Sequence, residues 1–243
     1  MHRRVQAARR DTGNTRSTLP LRVGWKHHHT RVRSNKRRRT MTRTNSPGYP
    51  ELLWPFKNLP QDYVVLDLET TGLFDESGAP SILTIGVVEV VAGEPVGGAE
   101  FCARPRRSIT REASAIHGIT ERKAAGFPEL EESWETLTLL LQGKLVVIHN
   151  ASFDWLIIRD AAITHRLQVP AIQGVFCSQR SAQPWAVANG IETSSRGPSL
   201  DALTQALALP DRRSALDGQH GALIDARQSV DIVESLRRRS GSH

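Results

Sequence analysis

Cysteine is scarce in this chain: Cys102 and Cys177 are the only two among 243 residues. Both fall in apolar, strand-like segments, which excludes a disulfide-stapled scaffold and leads us to expect a reducing cytoplasm. No apolar run approaches the length needed to span a bilayer, and no secretory apolar segment is present, so no membrane role is expected. Internal repeats are missing as well. Acids are nearly absent from residues 1–44, where fourteen Lys and Arg face the single Asp11. That arm carries +13, and removing it from the overall +7 leaves −6 for residues 45–243. The arm lacks apolar periodicity and is expected to stay disordered. Three readings of it are open: a phosphate-attracting nucleic-acid tether, a targeting segment, or a stretch upstream of a true start at Met41. His27, His28 and His29 read as part of the solvated basic run rather than as a metal site.

What the body does contain is a set of acids in places where apolar packing has no use for them. In VVLDLETTGL, apolar residues run over 64–68 and Gly72 ends the run, the pattern of a short buried strand feeding a turn. Side chains alternate faces along a strand, so Asp67 and Glu69 point the same way, about 7 Å apart along the backbone. Burial and like charge would push both toward the protonated form, whereas a bound dication reverses that logic. Oxygen donors alone suit Mg²⁺ or Mn²⁺ rather than zinc. Taken by itself, the pair also fits a strand end projecting two acids into water.

Two further segments supply the rest. LVVIHNASFDWLIIRDAAI reads as a strand, a tight turn and a helix, with Asp154 in the first helical turn just beyond the carboxyl end of the strand. An acid there is also stabilised by the helix dipole. Open α/β sheets gather their chemistry at carboxyl strand ends, which brings this acid toward the first pair. In GQHGALIDA a glycine-flanked His220 leads into a helix with Asp225 near its start. An unperturbed imidazole takes up protons near neutrality, so His220 is a candidate general base, although a histidine in such a loop is also a common solvated bystander.

Strands are expected at 62–68, 82–91 and 99–104, with the turn-rich link 92–98 closing a hairpin between the last two. Next come a helix at 130–142, a strand at 145–149, a helix at 152–167, a strand near 174–177 and helices near 200–208 and 222–238. About 180 residues are ample for one hydrophobic core.

Together, DLETTGL at 67–73, AIHGIT at 115–120, HNASFD at 149–154 and HGALIDA at 220–226 resemble the DEDDh 3′–5′ exonucleases, in family order and over 62–238. The family includes the proofreading subunit of bacterial DNA polymerase III. The resemblance implies a ribonuclease H-like α/β fold, a mixed five-stranded sheet with helices on both faces, behind the basic arm and a linker at 45–61. It also implies a pair of divalent ions, Mg²⁺ or Mn²⁺, with Asp67 bridging both, Glu69 and Asp225 completing the first site and Asp154 supporting the second. His220 would then deprotonate the attacking water, and nucleoside 5′-monophosphates would leave one at a time from a nucleic-acid 3′ end.

By the same resemblance, the backbone at Thr70 and Thr71 receives the terminal 3′-hydroxyl, and Ile116, His117, Asn150 and Phe153 line the terminal nucleotides. Leu73 and Phe153 would offer apolar surface to unstacked bases, with ordinary core packing as the competing reading for both. Thr84 departs from the family pattern, standing where relatives often carry Glu. Only RRRSGSH follows the last helix, so no polymerase-gripping tail is expected and a stand-alone enzyme acting on DNA is favoured. An RNA 3′-end exoribonuclease and a non-catalytic nucleic-acid binding module of the same fold are the alternatives.

Overall fold

The computed structural model describes residues 51–53 and 55–240, so the expectations for the basic arm, its histidine run and Met41 lie outside the described residues. The chain passes through β1 (Glu51–Leu52), a 3-10 turn (Phe56–Asn58), β2 (Tyr63–Thr70), β3 (Ile82–Val91) and β4 (Glu94–Cys102). Three helices follow: α1 (Arg111–His117), α2 (Glu121–Ala124) and α3 (Leu130–Leu141). Then come β5 (Leu145–Ile148), α4 (Ala151–Thr164), β6 (Gly174–Cys177), α5 (Ser178–Ala188), α6 (Leu200–Ala206), a second 3-10 turn (Arg212–Leu216) and α7 (Ala222–Ser240).

The strands form one mixed sheet in the order β1-β6-β5-β2-β3-β4. β1, β6, β5 and β2 pair in parallel, and β3 and β4 are antiparallel. The five expected strands are all present. A sixth, β1, adds two residues at the outer edge of β6, too short for any periodicity to announce it. The hairpin turn is tighter than expected: Ala92 and Gly93 both have positive φ, the geometry that matches strand twist, and Glu94–Gly98 belong to β4. At Gly98, within β4, a Cβ would come within 3.1 Å of the Leu223 side chain of α7. α1, α2 and α5 lie outside the expected helices: the first two are short, and α5 has Pro184 inside it and a sequence, SQRSAQPWAVA, rich in polar residues.

Alternation along β2 sorts its residues between two cores. Val64, Leu66 and Leu68 pack with Trp134 and Leu137 of α3 and with Trp155 and Ile158 of α4. Tyr63 and Val65 pack on the other face with Leu203 of α6 and Val230 and Val233 of α7. Asp67 and Glu69 continue that second series, so both acids fall on the α7 face. Helix α3 starts with a capping box, in which Glu129 and Glu132 satisfy each other's end of the first turn. Among the described residues, no helix is long and apolar enough to cross a membrane.

Candidate active site

The acids meet because the strands end at different heights. β5 pairs with β2 only at Val64 and Val65, which leaves the far end of β2 without a neighbour on that side. There the Leu68 N–H donates to Asp154 Oδ1 at 3.1 Å. Asp154 is the fourth residue of α4, and Asn150 just before the helix takes a left-handed conformation (φ 71°), turning the chain sharply from β5. The helix packs on the opposite face of the sheet, yet its first turn reaches round the end of β2.

From the other face comes α7, and its approach depends on Gly86, which is paired with Asp67 in the register of β2 and β3. A Cβ at position 86 would lie 2.2 Å from the Ala222 carbonyl, so only glycine lets the start of α7 rest on the sheet at this point. Asp225, one turn in, is thereby brought over the acids of β2. Ligand atoms of Glu69, His220 and Asp225 all lie within 4.8 Å of one another, a spacing that could hold a cation. Carboxylate oxygens dominate this donor set, which suits a hard dication such as Mg²⁺ or Mn²⁺.

One residue of the site had no sequence signal. Arg213, in the second 3-10 turn, grips Asp225 with both arms of its guanidinium: Nε to Oδ1 at 2.7 Å and Nη2 to Oδ2 at 2.8 Å. Its remaining nitrogen, Nη1, reaches Asp201 at 2.5 Å. The neighbouring Arg212 pairs with Asp231 at the surface, and nothing in the local sequence distinguishes the two arginines. His220 completes the shell around Asp225, with Nδ1 3.2 Å from Oδ2.

Crowding these acids has electrostatic consequences. Burial, followed by the charges of Asp154, Asp225 and Glu69, holds Asp67 well above the ordinary carboxylate range. Burial and then Asp225 push Glu69 up to about 8, and burial also pushes Asp154 to about 8. For Asp225 burial acts in the same direction, but hydrogen bonds from His220 and Arg213 outweigh it and its pKa is lowered.

A group whose folded pKa is raised binds protons more tightly when folded, so its contribution to stability falls as pH rises from about 4 toward the folded value. His149, lowered to about 4, and His117, also lowered by burial, act in the opposite direction below about pH 6.5. In chelator, the melting temperature should therefore fall between pH 6.5 and pH 8. Saturating Mn²⁺ at pH 8 should restore it. Differential scanning fluorimetry tests this, and a metal-free melting curve indifferent to pH in that window would contradict it.

Beside the acids lies a mostly apolar cavity of about 470 Å³. Thr70, Leu73, Ile116, His117 and Phe153 line it, together with Glu69 and Phe74. Leu73 is 75 % exposed and Ile116 50 %, so neither is spent on core packing. Phe153 does both, lining the cavity and packing on the α3–α4 core. Phe74 meets Phe153 edge to face with centroids 5.7 Å apart. Its only signal was adjacency to Leu73.

His117 lines the cavity but is largely buried, and both of its ring nitrogens are engaged within the protein. Ile119 N–H donates to its Nδ1 at 3.0 Å, leaving Nε2 to donate to the Thr70 carbonyl at 3.2 Å. Thr71 lies outside the lining: its N–H is taken by the Ser81 carbonyl and its own carbonyl by the Thr110 N–H. Asn150 also lies outside, its Oδ1 accepting from the Ser152 hydroxyl. His220 is tied to this wall through its N–H, which donates to the Ile116 carbonyl at 3.1 Å.

Comparison with known proteins agrees with this geometry. Residues 64–233 match the family model described as exonuclease, of the RNase T type. A DNA polymerase III subunit epsilon-like protein of Rhodobacter capsulatus is 35 % identical over 180 residues, covering 72 % of this chain and 23 % of its own. The DNA polymerase III subunit epsilon of Escherichia coli is 31 % identical over 178 residues, 71 % of this chain and 70 % of that protein. This chain thus spans about a quarter of the Rhodobacter relative, and only 12 % of the PolC-type DNA polymerase III of Thermotoga maritima. Among solved structures, Exonuclease X in complex with 5′ overhanging duplex DNA aligns with a TM-score of 0.54 at 27 % identity, over 74 % of this chain and 94 % of that one. The nuclease domain of 3′hExo, a DEDDh family member bound to rAMP, shares the fold with a TM-score of 0.53 over 75 % of this chain and 93 % of that one, at 14 % identity. Since the family match runs from β2 into α7 and so takes in all three acid-bearing segments, this chain belongs to the exonuclease family and has the ribonuclease H-like fold.

Proposed function

We propose that this protein is a metal-dependent 3′–5′ exonuclease that hydrolyses the last phosphodiester of a nucleic-acid strand and releases a nucleoside 5′-monophosphate. The observation that carries the reading is the convergence of Asp67, Glu69, Asp154 and Asp225 from three segments beside a cavity of nucleotide-accommodating size. Asp67, Glu69, Asp154 and Asp225 would hold two divalent ions, which supply charge stabilisation for an in-line displacement at phosphorus. The terminal nucleotide occupies the cavity, against Leu73, Ile116 and Phe153, near the Thr70 backbone.

His220 is the general base in this scheme. With Nδ1–H directed at Asp225 Oδ2, its Nε2 is left to accept the proton of the attacking water. The new bond joins that water oxygen to phosphorus, the P–O3′ bond breaks, and the 3′ oxygen of the shortened strand takes a proton from solvent to become a hydroxyl. His220→Ala should lower kcat by about 10² to 10⁴ fold while oligonucleotide affinity stays near wild type. Single-turnover cleavage and fluorescence anisotropy measure the two quantities, and full activity in the variant would remove His220 from the role.

DNA is the favoured substrate, a reading supported by the likeness to Exonuclease X, which was solved with duplex DNA. That likeness spans 94 % of the Exonuclease X chain. Our reading is a catalytic unit that acts without a polymerase, in the cytoplasm. Stable co-purification with a polymerase would overturn the stand-alone reading. The direct test incubates 5′-labelled DNA and RNA strands with Mg²⁺, Mn²⁺ or chelator. A ladder of single-nucleotide steps that disappears in chelator is expected, and internal cuts or cleavage without metal would refute the proposal.

A further inference from the structure

Charge is unevenly spread over the body of this protein. Residues 45–243 carry −6 overall, yet residues 103–123 hold Arg104, Arg106, Arg107, Arg111, Arg122 and Lys123 against only Glu112 and Glu121. This short basic stretch runs into and out of α1, the helix whose Ala113, Ile116 and His117 form one wall of the nucleotide cavity.

Half of these cations are already committed. Arg104 pairs with Glu129, Arg106 with Glu131, and Arg107 with Asp75 and the carbonyls of Gly78 and Ala79. Those contacts fasten the loop after β2 and the start of α3. Arg111, Arg122 and Lys123 are different: all three are exposed, and among the described residues none has an ion-pair partner. Of the two acids next to them in sequence, Glu121 is occupied elsewhere, its Oε1 accepting the Ile109 N–H at 2.6 Å, and Glu112 lines the cavity without an ion pair to Arg111.

Position completes the case. Arg111 begins α1, while Arg122 and Lys123 lie on α2, just past its other end. Seven helical residues span about 10 Å, so the cations bracket the cavity wall rather than sitting remote from it. The Lys123 charge is close enough to oppose protonation of His117 inside that wall. Long side chains carrying unpaired charge at an exposed rim cost little to bring onto a polyanion, and each phosphate neutralised releases counterions.

We propose that Arg111, Arg122 and Lys123 form a phosphate track that holds the substrate strand upstream of its scissile bond, so that the enzyme prefers strands long enough to reach it. The inference rests on the exonuclease reading above and names the surface by which that site takes its substrate. A dinucleotide offers the scissile phosphodiester alone, whereas a 12-nucleotide strand offers further phosphates to the track.

The test compares the full chain with the R111Q/R122Q/K123Q variant, each given a dinucleotide and a 12-nucleotide DNA strand in Mn²⁺ at several salt concentrations. The basic arm is common to both proteins and cancels in the comparison. The ratio of kcat/KM for the long strand over the dinucleotide should fall about tenfold in the variant. The slope of log KM against log salt for the long strand should flatten by about 2, at roughly 0.7 per lost contact on a single strand. The pair variant R122Q/K123Q should show an intermediate loss on both measures. A length preference and salt slope unchanged from wild type would overturn the track. If wild-type protein cleaves neither substrate, it is the exonuclease reading itself that fails.

Discussion

Asp67→Ala should reduce kcat by roughly 10⁴ fold, the scale seen when one member of a catalytic unit is removed. Burial, together with the charges of Asp154, Asp225 and Glu69, raises the Asp67 pKa, so removing Asp67 removes a carboxylate in contact with the fields of all three. In the proposed mechanism it would be one of the four carboxylates that hold the divalent ions and so support charge stabilisation at phosphorus. The same variant should be more stable than wild type in chelator at pH 8, because a repelling, desolvated carboxylate has been removed. It should also gain much less melting temperature from Mn²⁺. Activity within tenfold of wild type on a 5′-labelled strand would sink the assignment, and the chelator measurement shows separately whether the variant is folded.

Arg213→Met is expected to have the largest effect on stability. The Asp225 side chain is 4 % exposed and that of Arg213 9 %, so the variant leaves a buried carboxylate without its two-armed partner. Breaking such a pair from one side costs about 3 to 5 kcal/mol, and for a chain of this size that lowers Tm by roughly 10 °C. The sign of the pH dependence follows from Asp225, whose folded pKa is depressed. The contribution of the pair is present above the unfolded carboxylate pKa of about 4 and disappears as pH falls through the folded value. In strong acid the two proteins should therefore converge. Arg213→Lys retains the charge but not the planar fork and should fall between them. A melting temperature unchanged at neutral pH in Arg213→Met would show that the ion pair does not hold the second 3-10 turn against α7.

Much of this site is visible in the linear chain because the rules that place it are local. The two-residue spacing of Asp67 and Glu69 puts both on one face of any strand, and the hydrophobic runs on either side make that strand central. Apolar periodicity likewise sets Asp154 and Asp225 in the first turns of helices α4 and α7. What remained hidden depends on how far apart in sequence the contacting groups lie. Thr71 reads as a free backbone position until the Ser81 and Thr110 contacts are seen. His117 reads as a side chain with nitrogens free to meet a nucleotide until Ile119 and Thr70 claim both of them.

The sequence by itself determined the alternating strands, the helix starts, the acids at the carboxyl ends and the charge contrast between arm and body, since each follows from residues within a few positions of one another. Tertiary structure alone decided that Arg213 rather than Arg212 meets Asp225, that Phe74 leans on Phe153, and that α7 rests on the sheet at Gly86. Those choices rest on packing between segments far apart in the chain, where backbone clearance and desolvation select one partner among residues that look alike in one dimension.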